Sequence, residues 1–384
     1  MFEILTLNAI SNKIYSVLDD NYSVSSDTKS PDAILVRSFK MDDYEISDNL
    51  LCVARAGAGV NNIPIPRMTE KGICVFNTPG ANANAVKELV ICGMLLAARD
   101  IVGGVEWANT LEGDVAKQVE KGKKAFAGSE ISGKTLGIIG LGAIGKLVAG
   151  AAKALSMNVV GYDPYLSDEA ADSLEKEGIS VQKSPEDIYK VADYISLHVP
   201  LTDSTREMIN SRSVGVMKDG AVVINMARGE LVNVPDVKAA LESGKLRKYV
   251  VDFPNDSCIN SKGIIAIPHL GASTEEAEDN CAVMAAKELK DYLENGNVIN
   301  SVNFPKVIKE REFDERITVV GNALAALDKS LKEALSKYKY SMEYAEKGSV
   351  GYAIIDFEGD LCHGDASVTD ALSELDNVIS IRIL

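Results

Sequence analysis

Basic residues are scarce beside acidic ones: 40 lysines and arginines against 56 aspartates and glutamates leave a net charge of -16 over 384 residues. A surface of that sign repels nucleic-acid phosphate and anionic membrane surfaces at long range, so neither is the expected partner. No apolar run approaches the roughly 18 residues of a membrane span. The opening MFEILTLNAI lacks the basic flank and cleavage pattern of a signal peptide, and reads as a first strand of a cytoplasmic protein. Histidine is rarer still, with only His198, His269 and His363. The six cysteines (Cys52, Cys74, Cys92, Cys258, Cys281, Cys362) form no CxxC and no His/Cys cluster. No metal site is expected, and the cysteines read as buried reduced thiols.

What the chain has in abundance is short apolar runs alternating with helix-like stretches, an α/β pattern. Its length exceeds what one hydrophobic core supports, so two or three domains are expected. A first series of runs, Phe2–Leu7, Ala33–Val36, Leu51–Ala54 and Ile73–Phe76, reads as buried parallel strands. A second series follows at Leu136–Ile139, Asn158–Tyr162, Tyr194–His198, Ala221–Asn225, Tyr249–Asp252 and Ile264–Ile267, which predicts one doubly wound sheet. Helices are expected at Leu89–Ala98 and Glu275–Asn295. The second would return the chain to the first domain, giving a substrate-binding domain of residues 1–97 and 282–305 with a nucleotide domain of 98–281 inserted in it. Lys306–Arg316 reads as a linker, and residues 317–384 predict a third domain of βαββαβ order.

In TLGIIGLGAIG, Gly140, Gly142 and Gly145 have GxGxxG spacing between an apolar strand and a helix. The glycines allow a tight turn and close approach of backbone to a pyrophosphate, which the helix N-terminus attracts. The next predicted strand ends at Asp163, 18 residues beyond Gly145, where a carboxylate can accept the ribose hydroxyls. That charge repels a 2′-phosphate, and Pro164 rather than an arginine follows, so NAD is the expected cofactor. Hydride chemistry on a 2-hydroxy acid also needs a proton acceptor and a cation to hold the carboxylate. His198, His269 and Arg228 all follow predicted strand ends, where sites in open α/β sheets lie.

TLGIIGLGAIG, LHVPLTDST, INMARGELVN and IPHLGASTEEAE occur in the order and spacing of the D-isomer-specific 2-hydroxyacid dehydrogenases, and RAGAGVNNI with VFNTPGANANAVKEL resembles their 3-phosphoglycerate dehydrogenase branch. The resemblance covers about residues 30–305. It implies a Rossmann-type sheet inserted in a flavodoxin-like domain, with Arg228 orienting the substrate and His269 rather than His198 accepting the proton. It further implies that Ala143, Ile144, Asp163, Val199, Ala227 and Asp252 line the cofactor with the three glycines, and that Thr78 reaches it from the other domain.

Members usually carry a glutamate that hydrogen-bonds the catalytic histidine, in a segment resembling DVFxxEP. Here the segment reads VDFPND, and Asp256 is expected to take the glutamate's place one methylene shorter. Arg55 and the glycine-rich loop with Gly57 and Gly59 are expected to hold an anionic substrate. Arg37 and Lys40 lie in the same region. Lys121, Lys123 and Lys124 resemble a stretch that crosses a dimer interface in the phosphoglycerate branch, so a homodimer or higher homo-oligomer is expected. The third domain resembles the ACT domains of that branch, but VVGNALAAL keeps Asn322 and puts Leu324 and Ala325 where Pro-Gly usually falls.

These features predict NAD-dependent oxidation of a small phosphorylated hydroxy acid, 3-phospho-D-glycerate. A reductase of glyoxylate or hydroxypyruvate and a non-catalytic NAD sensor of the same fold are the alternatives.

Overall fold

The computed structural model describes residues 1–358 and 367–384. Cys362 and His363 lie outside the described residues. Contacts divide the chain into two compact units, one of Met1–Asn82 with Glu278–Leu384 and one of Ala83–Ala277.

In the first unit, strands β1 (Phe2–Leu7), β2 (Tyr22–Ser25), β3 (Ala33–Val36), β4 (Cys52–Arg55) and β5 (Cys74–Phe76) form a parallel sheet of order β2-β1-β3-β4-β5. That is the flavodoxin-like order implied above. β3 is AILV, buried at every position, as a strand covered on both faces must be. β2, with the polar sequence YSVS, sits at the edge, where only one neighbour has to be satisfied.

In the second unit, β6 (Thr135–Ile139), β7 (Asn158–Tyr162), β8 (Ser180–Val181), β9 (Tyr194–Leu197), β10 (Ala221–Asn225), β11 (Leu246–Val251) and β12 (Ile264–Ala266) make a seven-stranded parallel sheet. Its order is β12-β11-β10-β9-β6-β7-β8. Winding outward in both directions from β6 is the dinucleotide-fold topology, and the strand order reverses between β6 and β9. The helix Ala83–Ala98 belongs to this unit, so the second unit begins ahead of the expected boundary at residue 98. Val86, Val90, Met94 and Ala97 pack with Leu136, Ile138 and Val250 of the sheet. At Gly93 a methyl group would come within 3.2 Å of Val250, so small residues let the helix lie close on the sheet.

The third predicted domain is an antiparallel sheet of order β14-β15-β13-β16, from β13 (Glu315–Asn322), β14 (Tyr340–Lys347), β15 (Val350–Phe357) and β16 (Val378–Ile383). Helices Leu327–Ala334 and Ser367–Ser373 complete the βαββαβ order. The domain does not hang from a linker. Its Tyr352 and Ile354 share one core with Ala285, Leu289 and Tyr292 of the long helix Glu275–Asn295 and with Phe76 of β5. The stretch Lys306–Arg316 is docked accordingly: Val307 pairs with Val298, and the ammonium group of Lys309 lies 3.3 Å from the Asp356 carboxylate.

The C-terminus of the long helix is finished by this domain. A helix leaves its last carbonyls without partners. Arg382 Nη2 donates to the carbonyls of Tyr292 and Leu293, Arg316 Nη1 to that of Asn295 at 2.9 Å, and the Tyr352 hydroxyl to that of Gly296 at 2.6 Å. Gly296, at φ +74°, supplies the left-handed turn that ends the helix. Arg316 and Asp356 are both buried and joined by two bonds, of 2.6 and 2.9 Å. Burial pushes the Asp356 carboxyl upward, yet the Arg316 bonds and charge, the Glu312 N-H and the Lys309 ammonium together outweigh it and hold the group below its ordinary value.

Glu288 on the same helix is 5% exposed; its Oε1 accepts from Asn300, and its Oε2 has no partner among the described residues. Burial, opposed by the Asn300 bond, pushes this carboxyl from 4.5 up to about 7. Between those two values the unfolded chain ionises while the folded one keeps its proton. Stability therefore falls as pH rises, by about 3 kcal/mol in all, and the loss is complete above about pH 7. Glu288→Gln is expected to gain stability relative to the parent between pH 5 and pH 8 in urea unfolding. A difference that stays constant across that range would disprove it.

Candidate active site

The glycine turn follows β6 directly. Gly140 has φ +96°, and a methyl group there would lie 2.5 Å from the His198 carbonyl; at Gly145 it would lie 2.0 Å from the Gly140 carbonyl. Those two glycines are required by the fold of the turn itself. Gly142 has nothing within 4 Å of its would-be side chain. It precedes the helix Ala143–Ala154, which no side chain caps. Open space beside uncapped helical N-H groups, with Ala143 exposed and Ile144 half-buried at the first turn, fits an anionic pyrophosphate. Asp163, just past β7, accepts from the backbone N-H of Leu141 and of Tyr165, each at 2.9 Å. The carboxylate is thereby fixed beside the glycine turn, and each oxygen retains capacity for a ribose hydroxyl. Val199 and Ala227, half-buried past β9 and β10, border the same end of the sheet.

His198 and His269 part company here. The His198 ring hydrogen-bonds Ser196 at 2.9 Å, and burial lowers it to about 4, too weak a base for proton transfer near neutral pH. His269 is exposed, at φ +53° in a loop after β12. That left-handed conformation is unusual for a side chain of this kind. What holds the loop is Asp252, fully buried at the end of β11, whose two oxygens accept from Leu270 N at 2.7 Å and Gly271 N at 2.8 Å. Burial raises the Asp252 carboxyl, against those two bonds and the nearby His269. The Asp252 side chain, expected among the cofactor residues, is thus engaged by the loop that carries His269.

Arg228 follows β10. Asn225, buried, donates to the Arg228 carbonyl at 2.8 Å and accepts from Ala227 N, while the Arg228 guanidinium donates to the Ala227 carbonyl at 2.7 Å. Phe253, next after Asp252, brings the pair together: the guanidinium lies 5.5 Å from its ring centroid, and the His269 ring lies 4.3 Å from it. Neither Asn225 nor Phe253 was among the sequence candidates, although both adjoin strand ends. Asp256 is exposed, and among the described residues no hydrogen bond or ion pair joins it to His269.

The remaining candidates divide between the units. In the first, Arg55 ends β4 and donates to the Arg37 carbonyl, and a methyl group on Gly57 would sit 2.2 Å from the Arg55 guanidinium. Gly57 is therefore the residue that admits that side chain. Gly59 and its loop follow, tied by Asn77 to the Ala58 carbonyl and by Thr78 N to the Gly57 carbonyl. Thr78 is itself fully buried, its hydroxyl without a hydrogen-bond partner among the described residues. Arg37 pairs with Glu278 at 2.6 Å, and Lys40 is exposed. In the second unit, Lys121, Lys123 and Lys124 are all exposed, and Lys123 pairs with Glu120.

The family description "D-isomer specific 2-hydroxyacid dehydrogenase, NAD binding domain" matches residues 92–271, within the second unit. A hydroxypyruvate reductase of Thermotoga maritima is 37% identical over 270 residues, covering 67% of this chain and 83% of that one. The chain belongs to the D-isomer specific 2-hydroxyacid dehydrogenase family.

Other dehydrogenases of this family extend the comparison. D-3-phosphoglycerate dehydrogenase of Methanocaldococcus jannaschii is 38% identical over 292 residues, 74% of this chain and 54% of that protein, so this chain spans about half of that relative's length. The NAD-bound crystal structure of 3-phosphoglycerate dehydrogenase from Entamoeba histolytica superposes with a TM-score of 0.61 at 26% identity, over 79% of this chain and 98% of that one. The 2-hydroxyacid dehydrogenase NAD-binding domain thus occupies the seven-stranded sheet. Among the described residues there is no cluster of metal ligands, and no helix is long and apolar enough to cross a membrane.

Proposed function

We propose that the chain is an NAD-dependent dehydrogenase oxidising 3-phospho-D-glycerate to 3-phosphohydroxypyruvate, with His269 as general base and Arg228 as the cation that orients the substrate. The observation that carries this reading is the packing of Arg228 and His269 on one ring, on the rim of the sheet that holds the glycine turn. Arg228 grips the carboxylate by a two-pronged donor and draws density from the forming carbonyl. His269 takes the hydroxyl proton as the C2 carbonyl forms, and Asp252 keeps its loop in place. NAD, when bound, accepts the hydride.

Arg55, with Gly57 and Gly59, supplies the charge and backbone N-H groups for the anionic substrate, and Lys123 and Lys124 serve the phosphate across a homodimer. Asp256 lies on the loop after Phe253 and would need a bridging water or loop closure to serve His269. A reductase of hydroxypyruvate is the second reading, favoured by the 37% identity to such an enzyme.

A panel of 3-phosphoglycerate with NAD, and glyoxylate and hydroxypyruvate with NADH, followed by NADH absorbance, tests the choice. Turnover of the phosphorylated acid is expected. Turnover confined to the unphosphorylated acids transfers the assignment to the second reading, and NAD binding without any turnover leaves a sensor. In the same assay Asp163→Ala is expected to narrow the preference for NAD over NADP by about tenfold or more, since it removes a charge that repels the 2′-phosphate. An unmodified protein equally efficient with both cofactors would contradict that role.

A further inference from the structure

Among the described residues no side chain hydrogen-bonds the His269 imidazole, so its direction must be set by packing and backbone. Asp252 pins the backbone of the two residues that follow His269, and the imidazole packs against the Phe253 ring with centroids 4.3 Å apart and planes tilted by 46°. The same ring carries the Arg228 guanidinium at 5.5 Å, within the range of a cation on an aromatic face. The loop after Arg228 is closed onto the Phe253 backbone as well, because a methyl group at Gly229 would meet the Phe253 carbonyl at 3.1 Å. Phe253 is half-buried and its ring packs on the core beneath β10 and β11, so it is the anchored member of the three.

We propose that Phe253 is a positioning residue, a spacer whose ring sets the separation and mutual direction of the Arg228 guanidinium and the His269 imidazole. This rests on the roles assigned to those two residues above. Three properties of an aromatic ring suit the task. It is rigid, so one side chain fixes two others. It excludes water from the gap between two groups that are both cationic once His269 holds the hydroxyl proton. Its face attracts each of them, which offsets part of their mutual repulsion. Of the charged groups, Arg228 shares the Phe253 ring with His269, and Asp252 binds the backbone of the two residues that follow His269.

The test compares Phe253→Leu, which keeps most of the volume without an aromatic face, and Phe253→Tyr, which keeps the face, in the full chain. Two quantities are read: kcat with the KM for NAD, and calorimetric binding of oxalate, a non-reacting dicarboxylate, to the protein with NADH. Phe253→Leu is expected to lose about tenfold or more in both kcat and oxalate affinity while the KM for NAD stays within about twofold. Phe253→Tyr is expected to retain both within about threefold. Parental kcat and oxalate affinity in Phe253→Leu would overturn the proposal, as would equal losses in the two variants. If the parent binds oxalate yet turns over no hydroxy acid, the enzymatic reading fails, and the oxalate comparison alone decides the role of Phe253.

Discussion

His269→Asn is expected to lower kcat for oxidation by about 100-fold to 10,000-fold, the usual contribution of general acid-base catalysis, with the KM for NAD little changed. Asparagine keeps the polarity and tolerates the left-handed backbone at φ +53° better than most residues, so the loop held by Asp252 should survive the substitution. What is lost is an exposed imidazole on this rim, and burial lowers the His198 ring to about 4, so it cannot stand in. The measurement is steady-state turnover of the best substrate from the panel, with NADH binding by fluorescence as the check on folding. A variant retaining more than about a tenth of parental kcat would remove His269 from the role of base.

The second large effect concerns stability. Asp356→Ala leaves the Arg316 guanidinium, 1% exposed, without its carboxylate inside the shared core of the first unit. Breaking one side of a buried ion pair typically costs about 3–5 kcal/mol, because the orphaned charge is the main penalty. Lys309 loses a neighbour at 3.3 Å in the same step, and Glu312 N loses its acceptor. The expected result is an unfolding midpoint well below that of the parent in urea, followed by circular dichroism. Arg316→Met combined with Asp356→Ala should recover part of the loss by removing the stranded charge. A single substitution costing under about 1 kcal/mol would mean that the pair is not a principal tie of this domain.

Most of the sheet strands were legible because buried parallel strands are short, uninterrupted apolar runs. Asn158–Tyr162 and Ala221–Asn225 coincide with the predicted bounds. β2 and β8 were not legible: YSVS and the two-residue SV are edge strands with little apolar content to mark them. The helix Ala83–Ala98 was visible in its latter part, but an apolar helix does not say which of two sheets it will cover. Only packing against Leu136 and Val250 assigns it. The charged stretch 306–316 resembled a linker because two of its charges, Lys309 and Arg316, find a partner distant in sequence, Asp356, which local composition does not reveal.

In the candidate site, strand-end logic pointed to Arg228 and to both His198 and His269, and the family resemblance chose between the histidines, whereas the hydrogen bonds of Asp252 and the place of Phe253 depend on which loop folds over which, and no periodicity encodes that. Asp256 was chosen by analogy of position, but the loop around it closes on itself through Asn255, Ser257 and Cys258.

The long helix Glu275–Asn295 has its final carbonyls bound by Arg382, some 90 positions downstream. Such sequence-distant closure raises contact order, which slows folding because the entropy of a large loop is lost before the contact forms. The five-stranded sheet and the helix that covers it are thereby tied to β16 of the antiparallel sheet, so the two sheets of the first unit are expected to form cooperatively rather than one by one.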